Sequence, residues 1–365
     1  MSPMAFHDDC LVLDGHTDLP TRLWEAPADL GTRLGDRHID LPRLREGGVD
    51  ALVLALYVPA SMAPGAGWEH ARTLHRLALA ALPPGMEPAR SAEEVRQAVG
   101  RGAVAALFGL ENGRPLLVEG ALDAIAAMGV RYVTLTHWKT HEWCDASTDR
   151  PEHGGLSAEG VRLVREMNRR GILADVSHVS DDAVRHVLDV ATVPPVASHS
   201  SARALCDHPR NLPDELVREI ARRGGLVMAN SYPAFVGPAA ARADERRREA
   251  LSPELEALEP EYLRDPQAHW REIAELLAAT PLPRVPLSAF VDHVVHLVDR
   301  AGEEHVGIGT DFDGIPDTLE GFEDVTRFPA LTAALLARGL DRAGLRLILG
   351  ENFLRLLREA ERRAA

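Results

Sequence analysis

The chain has 365 residues, of which 45% are hydrophobic, and a formal net charge of −15. That apolar share allows a large buried core, and no stretch nears the roughly 20 apolar residues of a membrane-spanning helix. The acidic balance argues against a nucleic-acid or anionic-membrane surface, so a small-molecule partner is expected, with no nucleic acid and no membrane.

The amino terminus, Met-Ser-Pro-Met-Ala-Phe-His-Asp-Asp, lacks the basic start and apolar centre of a signal peptide, which points to a cytoplasmic location. The first apolar run, 11–15, opens directly into His16-Thr-Asp18. Further runs rich in Val, Leu and Ala, bounded by Gly or Pro, lie at 50–57, 103–110, 130–136, 171–177, 192–198, 225–230 and 305–310. Continuous apolar runs of this length are the pattern of strands buried on both faces. Helical periodicity fills the gaps: in 159–170, Val161, Leu163, Val164 and Met167 fall largely on one face, and 182–190 behaves alike. Strands alternating with helices in this number predict an α/β protein, a closed (β/α)8 TIM barrel. An open doubly wound sheet would carry a Gly-rich turn after its first strand, and none is present. The interruption at 231–288, with Pro punctuation and helix-like segments at 242–250 and 270–279, reads as an elaborated βα loop beside the barrel mouth. Residues 1–365 are then expected to form a single domain. Cys10, Cys144 and Cys206 are an odd number with no Cys-x-x-Cys pair and read as free thiols.

The residues that follow the apolar runs carry the chemistry. They are His16 and Asp18 after the first run, Glu111 after the third, His137 after the fourth, His178 after the fifth, His199 after the sixth and Asp311 after the eighth. In a barrel the carboxyl ends of all strands converge on one rim, so these residues become neighbours. Three carboxylates buried together repel and lose their hydration, an objection that metal cations remove. Imidazole and carboxylate donors suit Zn²⁺ or a similar divalent ion. Two such ions need a shared carboxylate, and Glu111 is the natural bridge, with His16 and Asp18 on one ion and His178 and His199 on the other. Asp311 is left for proton transfer, accepting a proton as water attacks and delivering it to the leaving group. His137 is placed to donate to an oxygen that turns anionic. Lys139, the only lysine in the chain, offers a rival bridge as a carboxylated lysine but lies beyond the strand end. Asp313, before Gly314, reads as a turn residue. The other twelve of the 16 histidines, most of them in helices or loops, read as structural.

Segments Asp14-Gly-His-Thr-Asp18, Gly109-Leu-Glu-Asn112, Leu135-Thr-His137, Asp175-Val-Ser-His-Val-Ser180, Ser198-His-Ser-Ser-Ala-Arg203, Arg210-Asn-Leu-Pro213 and Gly307-Ile-Gly-Thr-Asp-Phe-Asp-Gly314 resemble those of the membrane (renal-type) dipeptidases, within the metal-dependent amidohydrolases. The resemblance runs from the first strand to Gly350-Glu-Asn-Phe353 near the end of the chain. It implies a metal-dependent dipeptidase with two divalent ions, most simply Zn²⁺, held by the five ligands named above. It also implies substrate roles for His137, near the scissile carbonyl, and for Arg210, on the terminal carboxylate. Dipeptides with a carboxyl-terminal D-residue become plausible substrates, and a homodimer is expected. Glu111 is followed by Asn112 where many relatives have Gly, and the 138–145 loop is unlike theirs, so side-chain specificity is left open. Another hydrolase on the same site, a lactonase, β-lactam hydrolase or acylamino-acid amidase, is the alternative.

Overall fold

The computed structural model describes residues 2–258 and 261–364. Its centre is a sheet of parallel strands: β1 (Leu13–Thr17), β2 (Ala51–Tyr57), β3 (Met86–Pro88), β4 (Val104–Glu111), β5 (Val130–Thr134), β6 (Leu173–Asp175), β7 (Val196–Ala197), β8 (Leu226–Ala229) and β9 (Val306–Ile308). The order is β1-β2-β4-β5-β6-β7-β8-β9, with the short β3 paired to β4 off this path. All eight apolar runs therefore correspond to barrel strands, as a TIM barrel requires. β3 was not anticipated; three residues next to Pro83-Pro84 give too short a pattern to read.

The barrel closes between β9 and β1 through their loops and a side chain. Thr17 and Phe312 form a parallel bridge, with Asp18 N donating to Phe312 O at 2.9 Å and Asp311 N to His16 O at 3.0 Å. Asp14, wholly buried, accepts from Thr310 N at 2.9 Å and from Thr310 Oγ1 at 2.5 Å. Strand alternation divides the core. Leu52, Leu54 and Leu56 join one buried cluster with the surrounding helices, while Ala51 and Val53 join another with Leu107, Tyr132, Leu226 and Met228.

The helices read at 159–170 and 182–190 are Ala158–Arg169 and Asp181–Val190, capped by Ser157 and Ser180 on the backbone N–H groups of Gly160 and Ala183. Between β8 and the helix Leu287–Ala301 lie further helices, including Pro238–Leu258 and Pro266–Ala278, where 242–250 and 270–279 had signalled them. They lean over the carboxyl ends of the strands. The Arg22 guanidinium lies 3.4 Å from the centroid of Trp270, and Tyr262 Oη meets His70 Nε2 at 3.0 Å. A cavity of about 920 Å³ remains beneath them, lined by Asp18, Glu111, His137, His178 and Asp311 among others. No helix among the described residues is long and apolar enough to cross a membrane. Cys10, Cys144 and Cys206 are buried free thiols.

Candidate metal centre

Each site residue sits at the carboxyl end of a strand or just beyond it. His16 is on β1, and Asp18 is the residue before helix Leu19–Glu25, a capping position at which its carboxylate makes no capping bond. Glu111 is the last residue of β4, and His137, His178, His199 and Asp311 follow β5, β6, β7 and β9. Asn112, Trp138, His178, Asp311 and Asp313 all have positive φ, at 81°, 55°, 69°, 69° and 66°. Non-glycine residues held in that region cost roughly 1–3 kcal/mol each and collect at functional sites. Here they turn the chain sharply enough to aim side chains into the barrel mouth.

Glu111 is the hub. Its Oε1 lies 3.2 Å from His178 Nε2, 3.5 Å from His199 Nε2, 3.6 Å from His16 Nε2 and 3.8 Å from His137 Nε2. His16 Nε2 is also 3.7 Å from Asp18 Oδ2, and the Nε2 atoms of His178 and His199 are 2.9 Å apart. The donor atoms form three overlapping groups, His16/Glu111/His199, Glu111/His137/His178 and His16/Asp18/Asp311, with all atoms in a group within 4.8 Å of one another. Every residue inferred from the strand ends is thus in the cluster. Asp311 stands among the potential donors as well, closer to His16 and Asp18 than the sequence reading required. Lys139 is exposed at the cavity rim, and Asp313 is bound to His38 through both its backbone N–H and its Oδ1.

Outer partners fix the rings. Tyr132 Oη donates to Gly15 O at 3.1 Å and so accepts from His16 Nδ1 at 2.8 Å, which puts the proton on Nδ1 and leaves Nε2 bare. That Nε2 is buried with no hydrogen-bond partner among the described residues. Ser198 Oγ donates to Asp175 Oδ2 at 2.7 Å and accepts from His199 Nδ1 at 2.7 Å, freeing His199 Nε2 in the same way. Asp175 also receives Thr134 Oγ1 and the backbone N–H groups of Ser177 and Ser198. Tyr132, Asp175 and Ser198 were missed as supporting residues, because sequence places them within strands or motif edges and shows no partner. Gly109 is what admits Tyr132: a Cβ there would come within 2.3 Å of the phenol ring. Gly314 is similarly constrained, since its Cβ would meet Asp18 Oδ2 at 2.2 Å.

The electrostatics are those of a cation site. Burial, aided by neighbouring carboxylates, pushes Asp18 and Asp311 up to about 6 and raises Glu111 too. Burial also holds His137, His178 and His199 well below the usual imidazole range, so they are neutral donors. An orphaned imidazole nitrogen facing three destabilised carboxylates fits a divalent metal ion.

Arg210, which its loop position alone would class as solvated, is 2% exposed. Nη2 donates to His199 O at 3.1 Å, Nε has no partner among the described residues, and the guanidinium lies 5.3 Å from the Phe235 centroid. Burial pushes its pKa down to about 10, which still leaves it charged at neutral pH. Asp311, by contrast, is steadied by Asn230 Nδ2, which donates to Oδ2 at 3.0 Å.

A sequence model of the membrane dipeptidases, peptidase family M19, matches residues 4–365. The chain belongs to the membrane dipeptidase family. It is 32% identical to Dipeptidase verJ of Clonostachys rogersoniana, over 99% of this chain and 90% of that protein. It is 33% identical to Dipeptidase tcpJ of Claviceps purpurea (strain 20.1), over 90% of this chain and 70% of that protein. Among solved structures, the probable dipeptidase PvdM from Pseudomonas aeruginosa superposes with a TM-score of 0.82 at 27% identity, covering 99% of this chain and 98% of that one. A metallo peptidase from Rhodobacter sphaeroides, liganded with a phosphinate mimic of L-Ala-D-Ala, superposes with a TM-score of 0.76 at 26% identity over 96% and 99% of the two chains. Membership makes this enzyme a metal-dependent dipeptidase, a hydrolase of peptide bonds, and the donor groups around Glu111 are ones that could hold a metal ion.

Proposed function

We propose that the enzyme is a binuclear zinc dipeptidase that cleaves small dipeptides, including those with a D-residue at the carboxyl terminus. The observation that carries the reading is Glu111 Oε1 within 3.2–3.8 Å of four imidazole Nε2 atoms, beside a buried Arg210 that has no ion-pair partner among the described residues. In this proposal His16 and Asp18 would hold one ion, His178 and His199 the other, and Glu111 would be shared between them. Zinc bound there would supply an acidified water and polarise the scissile carbonyl. Arg210 pairs with the terminal carboxylate of the substrate, its planar fork suiting two parallel hydrogen bonds. His137, neutral and 9% exposed, donates an imidazole N–H to the carbonyl oxygen as that oxygen gains charge. Asp311 takes a proton from the attacking water and returns it to the departing amine, with Asn230 keeping its carboxylate in place. The mimic bound by the Rhodobacter sphaeroides relative supports an L,D-dipeptide as substrate. A homodimeric, cytoplasmic enzyme completes the proposal.

The test is hydrolysis of a panel of L,L- and L,D-dipeptides by zinc-loaded protein, with bound metal quantified in the same samples. About two metals per chain and chelator-sensitive cleavage of both stereochemical series are expected. One metal at full activity refutes the binuclear assignment, and cleavage of lactones or β-lactams with every dipeptide spared refutes the substrate.

A further inference from the structure

Two cations on the cavity wall, Arg248 on helix Pro238–Leu258 and Lys139 on the loop after β5, have no part in the roles above. Both stand beside Trp138, whose ring is 5.9 Å from that of His137 and 5.8 Å from that of His178. The Arg248 guanidinium lies 4.5 Å from the Trp138 centroid, and its Nε donates to Asp244 Oδ2 at 2.7 Å. Stacking sets the plane of the fork and the Nε bond sets one edge. The side chain remains 45% exposed, on the cavity that it lines.

Asp244 does not neutralise this wall by itself. Its Oδ1 also takes Arg247 Nη2 at 2.6 Å and Tyr232 Oη at 2.9 Å, and Arg247 reaches on to Asp317 at 2.8 Å. Within this group three cations, Arg247, Arg248 and Lys139, stand beside two carboxylates, Asp244 and Asp317, so the group itself carries an excess of one positive charge. The remaining acids on the cavity lie away from this group: Asp18, Glu111, Asp311 and Asp313 stand at the strand ends around the metal cluster, Glu25 pairs with Arg22, and Glu256 accepts from the Ser252 hydroxyl two turns further along the helix. Arg248 also shares a side of the cavity with Arg210. Phe235 stacks on Arg210, Tyr232 packs on Phe235 at 5.0 Å, and Tyr232 bonds the same Asp244 that holds Arg248. Arg210 and Arg248 also both act electrostatically on His137 and on His208, so a dipeptide with its terminal carboxylate on Arg210 lies at the end of the cavity that Arg248 and Lys139 line.

We propose that this wall recognises a second carboxylate, so that the enzyme prefers dipeptides whose carboxyl-terminal residue is Asp or Glu. The inference rests on the dipeptidase reading with Arg210 at the terminal carboxylate. With a chain charge of −15, long-range steering opposes such a substrate, and the preference has to come from local pairing.

The experiment compares kcat/KM of zinc-loaded enzyme on Ala-Glu, Ala-Gln, Ala-Lys, Ala-Ala and Glu-Ala, with the second residue in L and in D form. Ala-Glu is expected to exceed its near-isostere Ala-Gln by about tenfold or more, the scale of a charge-assisted hydrogen bond. Arg248→Gln should bring that ratio down to about two or below, Arg248→Lys should keep part of it, and Arg248→Glu should favour Ala-Lys instead. A ratio taken within one protein cancels any loss of folded enzyme. Equal rates on Ala-Glu and Ala-Gln, in an enzyme that cleaves Ala-Ala, overturn the inference and leave the dipeptidase reading standing. A preference for Glu-Ala over Ala-Glu overturns it likewise. No cleavage of any of the five overturns both.

Discussion

Replacing Tyr132 by Phe tests whether the bare nitrogen of His16 is made by its neighbour. The ring would stay, packed against Gly109, while the hydroxyl that joins His16 Nδ1 and Gly15 O is lost. Two buried polar groups are then left short of a partner, at about 1–3 kcal/mol each before relaxation. His16 is also freed to carry its proton on Nε2, the atom to which the proposed metal would bind. Losing such an outer partner lowers metal affinity by about 10–100-fold, or roughly 1.4–2.7 kcal/mol. Ser198 Oγ is 3.5 Å from His16 Nδ1 and could take over in part, but it already serves Asp175 and His199, so the expected loss is about tenfold or somewhat more. Equilibrium dialysis against buffered zinc, with a thermal melt of the same samples, measures both effects. Metal affinity equal to wild type in a folded Tyr132→Phe protein refutes the tautomer argument.

Asp311→Asn should retain both metals and lose about 10²–10⁴-fold in kcat, the range for a general acid–base group; metal analysis with single-turnover kinetics checks it. Arg210→Ala should raise KM for a free-carboxylate dipeptide far more than for the same dipeptide amidated at its carboxyl terminus, and equal damage to both would remove Arg210 from the carboxylate. His293 carries a pH prediction. It accepts from Ala202 N at 3.1 Å through Nδ1 and donates to Val236 O at 3.0 Å through Nε2, and burial lowers its pKa to about 4. Because the folded value lies below the unfolded value of about 6.5, this stability is present above pH 6.5 and is lost as pH falls toward 4, up to about 3 kcal/mol. Urea unfolding of His293→Gln between pH 6.5 and 5 should show a pH slope shallower than wild type by about 1 kcal/mol per unit, and parallel slopes would count against it.

Much of the fold is legible because a parallel barrel strand is buried on both faces and must be largely apolar, as Ala51–Tyr57 and, up to its last residue, Val104–Glu111 are. The polar residues that interrupt those runs stand out against them, which is why His16, Glu111, His178 and His199 could be named before their geometry was known. Strand length is less legible. The run 192–198 yields only Val196–Ala197, because Pro194 and Pro195 cannot donate to a ladder and Ser198 N turns to the Asp175 carboxylate instead. Arg210 and Arg248 carry no local signal at all. Their settings are made by Phe235 and Trp138, residues distant in sequence, and a charged residue in a loop or on an exposed helix looks the same whether its tertiary partner is water or an indole ring.

The seam between β9 and β1 has a consequence for assembly. Its hydrogen bonds involve Asp14, His16, Asp18 and Asp311, so the contacts that complete the barrel are made by the metal-site residues or their immediate neighbours. A chain that has formed every strand but the last still lacks the Asp311 wall and the anchor for Asp14. In the proposed arrangement none of the five ligands comes from β9, but His16 and Asp18 take part in the seam, so metal bound to them would favour the closed ring and its binding energy would be available to hold shut the joint at which the two ends of the barrel meet.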